Sequence, residues 1–105
     1  MEIRLRYFDG CPHWRTMHDR LREALRAEGL ANVEPILERV DTSEDAERLR
    51  FVGSPTLLVD GRDPFADGGG SFGLSCRVYQ TPEGFAGSPT TDQVRAALHD
   101  AQSTS

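Results

Sequence analysis

The first forty residues constrain the fold most, because their apolar side chains follow two different periods in turn. Residues 3–8 and residues 33–40 alternate in hydrophobicity, which predicts two strands. Between them, residues 12–28 carry apolar side chains on one helical face, with Pro12 suited to the first helical position and Gly29 to the stop. The apolar positions of this face are Trp14, Met17, Leu21, Ala24 and Leu25. This order predicts a parallel strand pair joined by a right-handed crossover.

The second half of the chain continues the alternation of helices and strands. Asp41 or Thr42 caps a short helix that ends near Arg50, and residues 54–61 and 74–80 read as two further strands. A last helix begins at Thr90 or Thr91. The predicted order is β-α-β-α-β-β-α: an α/β fold with a mixed four-stranded sheet, an antiparallel last hairpin and helices on both faces. We expect one domain over residues 1–101 and a frayed tail over residues 102–105.

Composition narrows the possible functions. All 12 basic residues are arginine, so a Schiff-base mechanism has no side-chain amine to use. A net charge of -5 argues against nucleic-acid and membrane partners. The charged, alternating N-terminus does not resemble a signal peptide, which leads us to expect a cytoplasmic protein. In that compartment the two cysteines are expected to be free, redox-active or metal-binding thiols rather than a structural disulfide, unless both are inert packing residues.

Cys11 is the residue best placed for chemistry. It lies where the first strand ends and the first helix begins, so the unpaired N–H groups of the first turn favour its thiolate, the reacting species. Pro12 fixes the backbone there, and His13 or Arg15 would add positive charge near the sulfur. The alternative is a cysteine that only fills space at a turn. We therefore expect Cys11 to act as a nucleophile that His13 assists.

A second feature lies about forty residues further on, where Pro55 opens a strand in the segment Gly53-Ser54-Pro55-Thr56. Together with Tyr7-Phe8-Asp9-Gly10-Cys11-Pro12-His13-Trp14, this segment resembles the thioredoxin superfamily. More closely, residues 2–100 resemble short single-domain members with a Cys-Pro-x-Trp motif and an Asp-Gly-Arg-Asp-Pro-Phe segment, some of them loosely labelled alkylmercury lyases. The resemblance implies a thioredoxin-like fold with a cis-proline loop facing Cys11. It also implies that Pro12, Trp14, Ser54, Pro55 and Thr56 contact an extended substrate.

The chain departs from the dithiol members of that superfamily at Trp14, which occupies the position of their second cysteine. Tryptophan cannot resolve a mixed disulfide. Either glutathione or another small thiol resolves the intermediate, or Cys76 does. Cys76 is predicted in the middle of the sheet, where it could equally be a core residue, and a direct bond to Cys11 would need their Cα atoms within about 7 Å.

Three functions follow as expectations, none of which needs a cofactor. The first is a thiol–disulfide oxidoreductase or thiol-transfer protein, with Cys11, His13 and Cys76 as catalytic residues and a protein or small-molecule thiol or disulfide as partner. The second is a binding module that has kept the fold without redox turnover, because Trp14 could shield the thiol. The third is soft-metal or organomercurial chemistry, although Cys11, His13, His18 and Cys76 lack a standard metal-ligand spacing and no metal site is predicted. The glycine-rich loop over residues 61–73 lacks the ending of a phosphate-binding loop and is either a lid or a solvent loop.

Overall fold

The computed structural model describes residues 1–66 and 72–103 of the chain. The elements are β1 (Ile3–Tyr7), α1 (His13–Ala27), β2 (Ile36–Arg39), α2 (Ser43–Arg48), β3 (Thr56–Val59), β4 (Tyr79–Thr81), β5 (Gly84–Ala86) and α3 (Thr91–Ser103). Two ranges lie outside the described residues: residues 67–71, at the centre of the glycine-rich loop, and residues 104–105, at the chain end. The prediction that the loop is a lid or a solvent loop therefore falls partly outside them.

The main sheet is mixed, with the strand order β2-β1-β3. β1 pairs with β2 in parallel, with Leu5 opposite Leu37, and with β3 antiparallel, with Leu5 opposite Leu57. The parallel pair around α1 is therefore confirmed, and with it the mixed α/β class. β3 is followed by a turn at Asp60 and Gly61 whose φ angles, 51° and 83°, are both positive, the conformation of a tight hairpin turn.

The predicted four-stranded sheet is wrong, since the described residues form a sheet of three strands and a separate two-stranded hairpin. Residues 74–80 do not pair antiparallel with β3; residues 79–81 pair instead with β5, which the sequence analysis missed. The short Pro82-Glu83 turn closes that hairpin. Upstream of it, the only pairing of Cys76 among the described residues is an isolated parallel bridge to Ser54.

Helices lie on both faces of the sheet. α1 and α3 pack on the face that Ile3 and Leu5 present. The main buried residues of this core are Ile3, Leu5, Met17, Leu21, Ala24, Leu25, Leu57, Val59, Val94 and Leu98. On the other face, Arg6 donates a hydrogen bond of 3.1 Å to the carbonyl of Leu49, which ends α2. A smaller cluster of Val40, Ala46 and Phe51 lies beside α2.

The helix caps follow the sequence. Thr42 caps α2 by accepting a hydrogen bond of 3.0 Å from the Asp45 amide. Thr90 and Gln93 form a reciprocal capping box at the start of α3. α3 continues to Ser103, so the helix extends two residues into the segment expected to fray. Among the described residues, no helix has the length and apolar character needed to span a bilayer.

Candidate functional site: a buried and an exposed thiol

Cys11 occupies the turn between β1 and α1. Its amide donates a hydrogen bond of 3.2 Å to the carbonyl of Phe8, which closes the turn, and Pro12 then leads into the helix. The Cys11 side chain is fully buried, at 0% exposure. Its thiol donates to the carbonyl of Ser54 over 3.4 Å, so the sulfur faces the loop that opens β3.

Cys76 contacts Cys11 across 65 residues of sequence, with 2.8 Å between the two Sγ atoms. Both cysteines are free thiols, and Cys76 is exposed where Cys11 is buried. The expectation that Cys76 lies in the middle of the sheet or forms part of the core is therefore wrong. The doubt about a direct bond is also removed, because the two sulfurs lie less than 1 Å beyond the disulfide bond length of about 2.05 Å.

A backbone bridge holds the Cys76 segment in place. The Ser54 amide donates to the carbonyl of Ser75 over 2.8 Å, and the Arg77 amide donates to the carbonyl of Ser54 over 2.9 Å. Gly53, with φ of 137°, permits this approach, since a side chain there would lie 2.9 Å from Cβ of Arg77. These contacts place the Cys76 side chain directly beside Cys11.

The Arg77 side chain anchors the same segment on its other side. Its guanidinium forms an ion pair of 2.6 Å with Asp63 and donates over 2.6 Å to the carbonyl of Phe65. It also lies 4.6 Å from the centre of the Tyr79 ring. The Arg77 and Asp63 side chains are only 10% and 14% exposed, so this ion pair is shielded from solvent far more than a surface pair.

Contact between the thiols changes how Cys76 titrates. Its pKa is raised, first because its S–H group donates to Cys11, then because of desolvation, and then because a charge on Cys11 disfavours a second thiolate. Cys76 therefore retains its proton to a higher pH than an ordinary thiol.

Tyr79 supports the loop on which the pair rests. Its hydroxyl donates a short hydrogen bond to the carbonyl of Pro55. Burial raises the pKa of Tyr79 well above its usual range, so the hydroxyl remains a donor at every physiological pH.

Of the three residues predicted to form the substrate edge, Ser54 contacts the Cys11 thiol directly, and Pro55 and Thr56 follow it in the chain. Ser54, Pro55 and Thr56 are all buried, and the Ser54–Pro55 peptide bond is cis. Ser54 also accepts a hydrogen bond of 3.2 Å from the Phe8 amide through its hydroxyl. The backbone groups of Ser54 already bind residues 75 and 77, so an extended substrate would have to displace the chain's own segment. Substrate contact by these residues stays a prediction.

The side chains in the first turn of α1 have contacts of their own. The exposed His13 ring packs against Gly87, where a Cβ atom would overlap it. Arg15 lies 5.1 Å from the Trp14 ring, and Trp14 stacks on Tyr7 with 4.1 Å between ring centres. Pro12 is exposed. The roles predicted for His13, Pro12 and Trp14 stay predictions.

The described residues contain no group of three or more His, Cys, Asp or Glu side chains that could hold a metal ion. Asp9, the nearest acid in the sequence, pairs with Arg39 over 3.4 Å. A cleft of about 750 Å³ lies elsewhere, and neither thiol lines it. The arginines of β1 that line it, Arg4 and Arg6, already pair with carboxylates.

Sequence reasoning missed the residues that support the pair. Asp63, Arg77 and Tyr79 hold the segment that carries Cys76, yet they come from a loop and from a segment predicted to be a strand. One signal was available: a charged residue directly after a cysteine in a strand expected to be interior requires a partner. Asp63, in the Asp-Gly-Arg-Asp-Pro-Phe segment, is that partner.

In comparisons with known proteins, the chain matches no family model, no curated protein and no solved structure.

Proposed function

We propose that this chain is a thioredoxin-like thiol–disulfide exchange protein in which Cys11 and Cys76 are the redox pair. The observation that carries the proposal is the 2.8 Å contact between a buried and an exposed sulfur. The mixed sheet, the Cys-Pro helix start and the Ser54-Pro55 loop beside the thiol agree with it. The second thiol comes from a distant segment and does what Trp14 cannot.

The difference in exposure assigns the two sulfurs different tasks. A soluble thiol or disulfide reaches Cys76 first, because Cys11 is buried beneath it. In the direction of oxidation, Cys76 first loses its proton, which its raised pKa makes infrequent near neutral pH. The Cys76 thiolate then attacks a glutathione disulfide, and one glutathione leaves as a thiolate that takes up a proton. Cys11 then attacks the Cys76 sulfur of the mixed disulfide, and the second glutathione leaves. The two protons of the protein thiols end on the two glutathione molecules, and the protein loses two electrons.

In the direction of reduction the same bonds break in reverse. An incoming thiolate attacks the exposed Cys76 sulfur, and Cys11 is the leaving group. In the cytoplasm, where glutathione keeps thiols reduced, the dithiol is the resting form. The sequence predicts Cys11 as the attacking thiol and leaves Cys76 as a possible resolving thiol. In this proposal the roles are reversed: Cys76 attacks the substrate and Cys11 resolves the mixed disulfide. Catalysis with a small thiol as the only resolving group is then unnecessary.

The experiment is equilibration of the purified chain with mixtures of reduced and oxidised glutathione, followed by acid quenching and mass spectrometry. We expect one intramolecular disulfide between Cys11 and Cys76 and little mixed disulfide. In the variant Cys11→Ala, which lacks the resolving thiol, Cys76 should accumulate as a mixed disulfide with glutathione. In the matched variant Cys76→Ala, the buried Cys11 should react slowly. Two free cysteines across the whole range of mixtures would overturn the proposal and favour the binding module.

The geometry supports disulfide exchange better than soft-metal chemistry. Two thiolates that bind one metal ion at about 2.3 Å each lie up to about 4.6 Å apart. The two sulfurs would have to separate by about 1 Å or more from their 2.8 Å contact to admit an ion. Titration with Hg²⁺ tests the metal alternative, because loss of only one thiol at one equivalent counts against it.

A further inference from the structure

We infer that Arg77 and Asp63 are positioning residues that set how readily the Cys11–Cys76 disulfide forms, an inference that rests on the proposed redox pair. Arg77 directly follows Cys76 in the chain, so any displacement of its backbone moves the Cys76 sulfur. Neither residue touches the reacting atoms. They act by holding the backbone of Cys76 in position beside Cys11.

The contacts of Arg77 are directed to two separate loops. Its amide binds Ser54 over 2.9 Å, at the loop that also faces Cys11. Its guanidinium binds Asp63 over 2.6 Å and the carbonyl of Phe65 over 2.6 Å, in the loop that follows β3. Asp63 is itself fixed, because its carboxylate accepts a hydrogen bond of 2.9 Å from the Phe65 amide. A planar fork with several donors can make these contacts together, and an ammonium group cannot.

Disulfide formation within a chain depends on how often the two sulfurs meet in a reactive geometry. Within the described residues, the segment between Cys76 and β4 has no strand pairing of its own. The Ser54 bridge and the hydrogen bond from Tyr79 to Pro55 hold it to the loop beside Cys11, and the Arg77 guanidinium holds it to the loop after β3. With the ion pair removed, the segment departs from Cys11 more often. The equilibrium constant for intramolecular oxidation must then fall, and the buried Cys11 must become accessible.

The test measures that constant by glutathione titration in the full chain. Arg77→Lys keeps the charge and loses the fork, and Asp63→Asn keeps the shape and loses the charge. We expect each variant to lower the constant on the order of tenfold, which corresponds to about 1.4 kcal/mol. We also expect iodoacetamide to label Cys11 faster in the reduced variants. Arg48→Lys is the matched control, since Arg48 pairs with Asp45 over 3.2 Å on the exposed surface of α2.

Each outcome decides a different question. A lower constant with faster Cys11 labelling in both variants, beside an unchanged control, supports the inference. An unchanged constant in both variants overturns the inference and leaves the proposed function intact. If the unsubstituted chain forms no Cys11–Cys76 disulfide at any glutathione ratio, the proposed function is overturned, and the inference with it. Urea unfolding of the reduced variants separates loss of positioning from loss of the fold, because a merely structural role would lower stability without moving the constant.

Discussion

Oxidation of the thiol pair should stabilise the folded chain by an amount that the loop length determines. A bond between Cys11 and Cys76 would close a loop across 65 residues of sequence. The chain-entropy relation for a loop of that length gives about 4 kcal/mol at 25 °C, before any strain in the native state is subtracted. Strain should be small, because the two sulfurs are already in contact in the dithiol form.

The assay compares the oxidised and the reduced chain in urea. Trp14 is the only tryptophan and stacks on Tyr7, so its fluorescence reports the loss of tertiary structure. With a slope of about 1–3 kcal/mol per molar urea for a small protein, about 4 kcal/mol moves the unfolding midpoint by about 1–4 M. Cys76→Ser, treated with the same oxidant, is the control and should show no shift.

A thermodynamic cycle checks the same quantity independently. The disulfide must form more readily in the folded than in the unfolded chain by the same free energy, which for about 4 kcal/mol is a factor of about a thousand in the equilibrium constant with glutathione. That factor is measured by repeating the glutathione titration in concentrated urea. Equal unfolding midpoints for the two forms, within about 0.3 M, would refute the claim that the native fold brings the two sulfurs together.

Three further predictions concern individual side chains. Alkylation of Cys76 should be slow near pH 7 and rise above pH 9, because contact with Cys11 raises the pKa of Cys76 above the ordinary value of 9.0. Cys11→Ala removes the largest cause of that shift, so the pH profile of Cys76 alkylation, measured by mass spectrometry, should move to lower pH. An unmoved profile would contradict the hydrogen bond between the two thiols. Gly87→Ala should displace the His13 ring that packs against it, which the His13 ring resonances in NMR spectra report; unchanged resonances would contradict the contact. Thr42→Ala should lower the free energy of unfolding by about 1 kcal/mol in urea titrations, because the Asp45 amide loses its partner, whereas Thr42→Ser should retain most of it.

The elements that depend on local sequence could be predicted. The alternation in residues 3–8, the helical period after Pro12 and the cap at Thr42 are each determined by neighbours within a few residues, and the structure has β1, α1 and α2 at those places. The turn at Asp60 and Gly61 is of the same kind, since both residues tolerate positive φ.

The arrangement around Cys76 could not be predicted in the same way. Residues 74–80 have the alternating pattern of a strand, but the pattern does not state which edge the strand meets. In the structure the Arg77 side chain, which is only 10% exposed, binds Asp63 and the Phe65 carbonyl, while the Arg77 amide binds Ser54. The energy of that choice lies in contacts between residues far apart in sequence, which neither periodicity nor turn propensity reports.

Because Cys76 lies on a separate segment, the position of that segment determines whether Cys76 is near Cys11. A resolving cysteine one helical turn from Cys11 would be held by the helix itself and would stay near the sulfur in every state of the protein. In this chain Trp14 takes that position, and the second sulfur is carried by a segment that one backbone bridge and one shielded ion pair hold in place. Exposure of Cys11 and formation of the disulfide therefore compete for the same segment. If the proposed function holds, a partner that binds the Ser54 edge displaces Cys76 from Cys11, and substrate binding is then coupled to the release of the buried thiol.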